Sequence, residues 1–106
     1  MDDDQGELRM RLRRLARIAQ LDGAEVGELD GRAALLAPNG KPAALGALDR
    51  IAFPLTPEKL EGLSGVEPGP HAGWTWVDAW QPELPSGEGL QRLAYTLRRA
   101  WVEARR

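Results

Sequence analysis

The sequence predicts an α+β domain of two layers, in which an antiparallel sheet of about four strands carries helices on one face. Apolar residues recur at helical spacing near both ends of the chain, tight-turn signals separate short apolar runs between them, and one later run alternates as a β-strand does. The predicted order of elements is α-β-β-β-α-β-α. A meander combined with flanking helices is typical of an α+β domain.

The helices at the two ends of the domain are predicted from their apolar stripes. Residues 7–21 carry a stripe of leucine and alanine, and Gly23 is expected to end this helix as a left-handed cap. Residues 87–105 carry a second stripe and follow Ser86, a capping residue. The acidic residues 1–6 are expected to be a flexible N-terminus, so that residues 7–106 form the single domain.

Three short strands are predicted after the first helix. Asp30-Gly31 and Asn39-Gly40 are signals for tight hairpin turns. The third strand is the least secure, because its alanines also fit a short helix that begins at Pro42, but the second turn favours a strand. The three strands are therefore expected at Ala24–Leu29, Arg32–Ala37 and Pro42–Leu48.

The middle of the chain leads into a strand rich in tryptophan. Residues 50–55 either extend the sheet or run beside it, since Pro54 confines a strand to an edge. Thr56-Pro57 predicts the start of a short helix that ends near Leu63. After a loop rich in glycine and proline, residues 74–80 (WTWVDAW) alternate in the manner of a strand.

Composition excludes several classes of protein. The 106 residues carry a formal net charge of −2 and contain no cysteine, which excludes disulfide scaffolds, thiolate nucleophiles and cysteine-based metal sites. No apolar run approaches the ~20 residues of a membrane-spanning helix. The first residues are acidic, unlike a secretory signal, so we expect a cytoplasmic protein.

Few residues suggest catalysis. His71 is the only histidine, and no motif places a nucleophile beside it. We interpret Asp78 either as the partner of a helix arginine or as a functional acid in an apolar setting. An enzyme that uses Asp78 or Glu67 with His71 is the least favoured hypothesis. The sequence favours a non-catalytic protein, and we expect no catalytic residue, no metal and no cofactor.

The three tryptophans of the predicted WTWVDAW strand are the most unusual feature of the sequence. Alternation places the three indoles on one face together with Asp78. If the helices cover that face, the indoles form the main core on the leucine stripes. If it is open, it is a platform for a partner, for stacked bases or for a second copy of the chain. The residues predicted to bind a partner are Trp74, Trp76, Trp80 and Arg98.

Charge is segregated along the chain. Residues 8–21 carry +5 and residues 90–106 carry +4, whereas residues 22–89 carry −7. Either the basic helices lie across an acidic sheet and neutralise it, or their arginines bind phosphate.

The favoured function is a small binding or assembly module that forms a homodimer, and a further protein partner is compatible with it. The alternative is a nucleic-acid-binding protein of low sequence specificity. Its predicted phosphate-binding residues are Arg9, Arg13, Arg17, Arg98 and Arg99.

Overall fold

The computed structural model describes residues 3–29, 31–47, 49–60, 63–78 and 88–105, with the backbone alone at residues 3–5, 88 and 90. Within these ranges the chain is an α+β domain with two α-helices and one six-stranded antiparallel sheet. The helices are α1 (Asp3–Ile18) and α2 (Glu88–Ala104). The strands are β1 (Glu25–Leu29), β2 (Arg32–Leu36), β3 (Pro42–Gly46), β4 (Arg50–Phe53), β5 (Glu67–Pro68) and β6 (Thr75–Asp78).

The strand order across the sheet is β1-β2-β3-β4-β6-β5, and neighbouring strands are antiparallel. The first four strands form a meander, β6 pairs with β4, and the two-residue β5 lies at the edge. The expected number of about four strands is therefore wrong, because both β4 and β5 belong to the sheet. The predicted order is corrected as well, since four strands precede the next helical segment and two follow it.

The helix predicted from Thr56-Pro57 to Leu63 is a 3₁₀ helix of four residues, Pro57–Leu60. Such a short segment does not offset the cost of nucleating an α-helix, and a 3₁₀ turn is the usual alternative. Its predicted start is correct, since the N–H of Lys59 donates to the carbonyl of Thr56 at 3.0 Å. A hydrogen bond from the Thr56 side chain lowers the pKa of the Glu58 carboxyl.

Both ends of α1 lie before their predicted positions, and the residue that ends the helix is not Gly23. The left-handed residue that follows the helix directly is Gln20, at φ 59°, whereas Gly23, at φ 83°, lies three residues further on. The N–H of Gln20 donates to the carbonyl of Arg17 (3.1 Å), and the N–H of Leu21 donates to that of Ala16 (3.1 Å). This pair of bonds is the Schellman motif, which satisfies carbonyl groups left unpaired at the end of a helix.

The hairpin turns explain why β3 is a strand. Leu29 and Arg32 face each other across the first turn, where Gly31 has φ 77°. At the second turn, Asn39-Gly40, the N–H of Gly40 donates to the carbonyl of Ala37 at 2.9 Å. The prediction of a strand after this turn, rather than a helix, is confirmed. Asp30 of the first turn and Ser86, the expected cap of α2, lie outside the described residues.

Both helices pack against the same face of the sheet, as the two-layer prediction requires. The main core joins their apolar stripes to the inward side chains of the strands. Thr75 and Val77 of β6 point to this side, where the Thr75 hydroxyl donates to the carbonyl of Leu55 at 2.8 Å. We call the opposite side of the sheet the distal face. It carries a second, smaller apolar cluster formed by Ala34, Leu45, Ala52 and Trp76.

Candidate functional site

Trp76 of β6 and Trp74, which directly precedes the strand, lie on the distal face. The strand pairings align Trp76 with Ala52 of β4, and that row continues through Leu45 and Ala34. The alanines leave room for the large indole, and the Trp76 side chain is 6% exposed. Trp74 and Trp76 therefore do not pack on the leucine stripes of the helices, as the core interpretation required. Trp76 is the centre of a separate cluster.

Two arginines lie against the ring of Trp76. The guanidinium carbon of Arg50 is 5.0 Å from the ring centroid and that of Arg32 is 5.4 Å away. Contacts of this kind stabilise by about 0.5–1 kcal/mol at exposed sites. Arg50 also donates through Nη1 to Oε2 of Glu67 at 3.0 Å. Glu67 therefore pairs with Arg50, whereas the structure shows no carboxylate beside Arg32 in the described part of the chain.

Trp74 forms the half-buried rim of the distal cluster. Its ring makes an edge-to-face contact with His71, with ring centroids 6.3 Å apart. The turn between β5 and β6 fixes its backbone, because its N–H donates to the carbonyl of His71 (3.1 Å) and its carbonyl accepts from Gly69 (3.0 Å). Leu29, Leu36 and Ala47 are also half-buried and complete the rim.

Asp78 ends β6 beside Arg50 of β4, with which it is paired in register. Oδ2 of its carboxylate accepts a hydrogen bond from the Ser64 hydroxyl at 3.2 Å, and its N–H donates to the Ser64 carbonyl at 3.0 Å. Gly65 lies against the same carboxylate so closely that a Cβ atom there would overlap it. The partner shown for Asp78 is therefore a loop serine on the distal side of the sheet.

The groups of the enzyme hypothesis lie near β5 and β6 with contacts of their own. Glu67 contacts Arg50, His71 contacts Trp74, and Asp78 contacts Ser64. Among the described residues, no three histidine, aspartate or glutamate side chains are grouped in a way that could hold a metal ion.

The arginines predicted to bind phosphate lie on the helix layer, which we define as α1 and α2. Arg13 and Arg17 of α1 are exposed and Arg9 is half-buried, whereas Arg98 and Arg99 of α2 are both exposed. The sheet separates Arg98 from Trp74 and Trp76, so the four residues predicted to bind a partner do not form one surface. The fourth of them, Trp80, lies outside the described residues.

Sequence reasoning missed two features of these surfaces. Arg32 and Arg50 come from separate strands, and only the pairing of the sheet shows that both reach Trp76. Tyr95, Met10 and Val102 lie on the outer faces of the helices and are 66%, 69% and 53% exposed. The sequence could have indicated their exposure, because these three residues fall outside the apolar stripes of their helices.

The described helices are too short or too polar to cross a lipid bilayer. Comparisons of the chain with models of protein families, with curated proteins and with solved structures found no match.

Proposed function

We propose that the protein is a small, non-catalytic assembly module of the cytoplasm that forms a homodimer through the distal face. The observation that carries this proposal is a six-stranded sheet whose second apolar cluster lies on the face opposite both helices. The four members of that cluster are buried within the monomer, so the apolar surface open to a partner is the half-buried rim around them: Leu29, Leu36, Ala47 and Trp74. Apolar patches rimmed by polar groups are typical of protein interaction sites.

A second copy of the chain fits this face because the face carries both signs of charge. Arg32 and Arg50 lie over its centre, and Glu25, Glu67 and Asp78 lie around them. A two-fold interface joins the same patch on both subunits, so a patch with both signs can match itself. Arg32, which lies beside no described carboxylate, is the residue that we expect to meet an acidic group of the second copy.

The size of the face sets the expected strength of the dimer. The six strands have two to five residues each and cover at most roughly 24 Å by 16 Å, less than half of the ~800 Å² per partner in a standard interface. Connecting loops add to this area, but a permanent dimer needs more. We therefore expect dissociation in the micromolar range.

Sedimentation velocity over a dilution series, from low to several hundred micromolar, tests this proposal. We expect a reversible shift from dimer to monomer. Arg32→Glu reverses an exposed charge on the distal face and should weaken the dimer at least about tenfold. Arg14→Glu makes the same change on the helix layer and should leave the dimer constant unaltered.

A second pair of variants tests the apolar rim. Leu36→Glu places a charge on the rim, and Val102→Glu places one on the outer face of α2. Only Leu36→Glu should weaken association, and its circular dichroism melt will show whether it still folds. If Leu36→Glu does not fold, Arg32→Glu, which changes an exposed residue, tests the proposal alone. A wild-type protein that is monomeric at every concentration, or controls that weaken the dimer equally, would overturn the proposal.

A further inference from the structure

The outer face of α2 combines an open aromatic ring with arginines. Tyr95 is 66% exposed, so the face of its ring is open to solvent. Residues three and four positions apart are neighbours on a helix surface, so Arg92, Arg98 and Arg99 surround Tyr95. All three arginines are exposed, and Nη1 of Arg99 donates to the carbonyl of Lys59 at 3.3 Å.

The outer face of α1 extends this surface with further arginines. The two helices contact each other on the same side of the sheet, so their outward sides form one continuous layer. The exposed arginines that α1 contributes are Arg13, Arg14 and Arg17.

Among the described residues, five arginines of the helix layer lie in no ion pair with an acid: Arg13, Arg14, Arg17, Arg98 and Arg99. Glu7 pairs with Arg11 at 3.8 Å, and Glu103 pairs with Lys59 at 4.0 Å. Both pairs lie on the flanks of the helices. The sequences of α1 and α2 hold eight arginines and five acids, a net charge of +3, whereas the rest of the chain carries −5, so the helix layer is the basic part of the molecule. This excess of positive charge attracts an anionic partner to the helix layer.

We infer that this surface binds single-stranded nucleic acid, with a base stacked on Tyr95 and phosphates held by the arginines around it. Stacking on an open ring requires an unpaired base, and proteins that bind single strands combine aromatic rings with a basic surface. An acidic protein would use the arginines but would have no need of the ring. The distal face takes no part in this inference, which therefore stands apart from the homodimer proposal.

Fluorescence anisotropy with a short labelled oligothymidylate tests the inference. We expect binding at low salt. The logarithm of the association constant should fall linearly with the logarithm of the salt concentration, with a slope of about −0.7 per phosphate neutralised. An unlabelled duplex of the same length should compete less well than the single strand. Sedimentation of the same samples reports the oligomeric state, so that a failure of dimerisation is seen separately.

Variants separate stacking from charge. Tyr95→Ala should weaken binding between about fivefold and a hundredfold, whereas Tyr95→Phe, which keeps the ring, should bind as the wild type does. Arg98→Glu should weaken binding and reduce the salt slope. Lys41→Glu makes an equal change in net charge at the turn between β2 and β3, and it should have a small effect.

Three results would overturn the inference. The first is no binding to the oligothymidylate at low salt. The second is equal binding by Tyr95→Ala, which would mean that the ring does not stack. The third is equal competition by polyglutamate, which would assign the surface to acidic proteins instead.

Discussion

Gly65 is a position where both the backbone conformation and a close neighbour favour glycine. Its φ of 77° favours glycine, and an added Cβ would overlap the carboxylate of Asp78. Gly65→Ala should therefore lower the free energy of unfolding by more than the ~1–2 kcal/mol that the left-handed backbone costs alone. Urea unfolding measures this loss.

The matched control for Gly65 is Gly31→Ala. Gly31 has the same φ of 77°, but apart from its chain neighbours no atom of the described residues lies within 4 Å of an added Cβ, so this variant reports the backbone cost. Equal losses in the two variants would mean that the Asp78 carboxylate moves aside at no cost, contrary to the close contact seen here.

At the same scale, the sequence predicted the alternation of β6 but not which side the helices cover. Trp74, Trp76 and Asp78 do share one face. Thr75 and Val77, which lie on the other face, are small, and the Thr75 hydroxyl finds a hydrogen-bond acceptor when it is buried. Either face of the strand could therefore have been the one that the helices cover. The choice depends on how the strands pair and on where the chain enters α2. The alternation of residues 74–80 determines neither the strand pairing nor the point where α2 begins.

At the scale of elements, the end of α1 offers a stabilising substitution. Gln20 adopts a left-handed conformation, at φ 59°, that costs a residue with a Cβ about 1 kcal/mol relative to glycine. Gln20→Gly should raise the free energy of unfolding by about that amount, as read from urea unfolding. The same change at Gln91, inside α2, should lower it by about 0.5–1 kcal/mol. Destabilisation by Gln20→Gly would mean that the side chain makes a contact that matters more than the backbone.

The end of α2 is hydrogen-bonded to a residue of a hairpin turn. Nδ2 of Asn39, in the turn between β2 and β3, donates to the carbonyl of Ala104 at 3.0 Å, and its Oδ1 accepts from the N–H of Lys41 at 3.0 Å. Asn39→Asp keeps the acceptor for Lys41 but places a carboxylate at the negative end of the helix dipole. We expect it to lower stability by about 1–2 kcal/mol.

Asn39→Ala is the control for that substitution, because it removes both hydrogen bonds without adding charge. Hydrogen exchange at the last turn of α2 should accelerate in both variants, and more in Asn39→Asp. Unchanged exchange in both would show that the contact does not hold the helix.

The elements themselves were predictable where their pattern was long. Both helices and the first two hairpin turns followed from stripes and turn residues. In contrast, β4 has four residues and β5 has two, which is too short for alternation to be recognised. The cap of α1 was misplaced because Gly23 is the better left-handed residue by type, but the chain makes its Schellman bonds at Gln20, where Leu21 then packs on the main core.

At the scale of the whole molecule, one sheet separates two apolar clusters of unequal size. The main core lies between the sheet and the helices, and the second cluster centres on Trp76 of the distal face. Four strands, β2, β3, β4 and β6, contribute to both clusters. The two sides should therefore unfold together in a single transition, as is usual for a domain of this size.

This coupling leads to the last prediction. Trp76 is 6% exposed and Trp101 of the main core is 5% exposed. Truncating either to alanine should cost about 3–5 kcal/mol, a large part of the ~5–15 kcal/mol that stabilises a domain. Tyr95→Ala, on an exposed ring, should change stability by less than about 0.5 kcal/mol. Thermal unfolding followed by near- and far-ultraviolet circular dichroism should give coincident transitions for Trp76→Ala. A loss below about 1 kcal/mol, or a transition split in two, would show that the distal cluster does not stabilise the sheet it lies on.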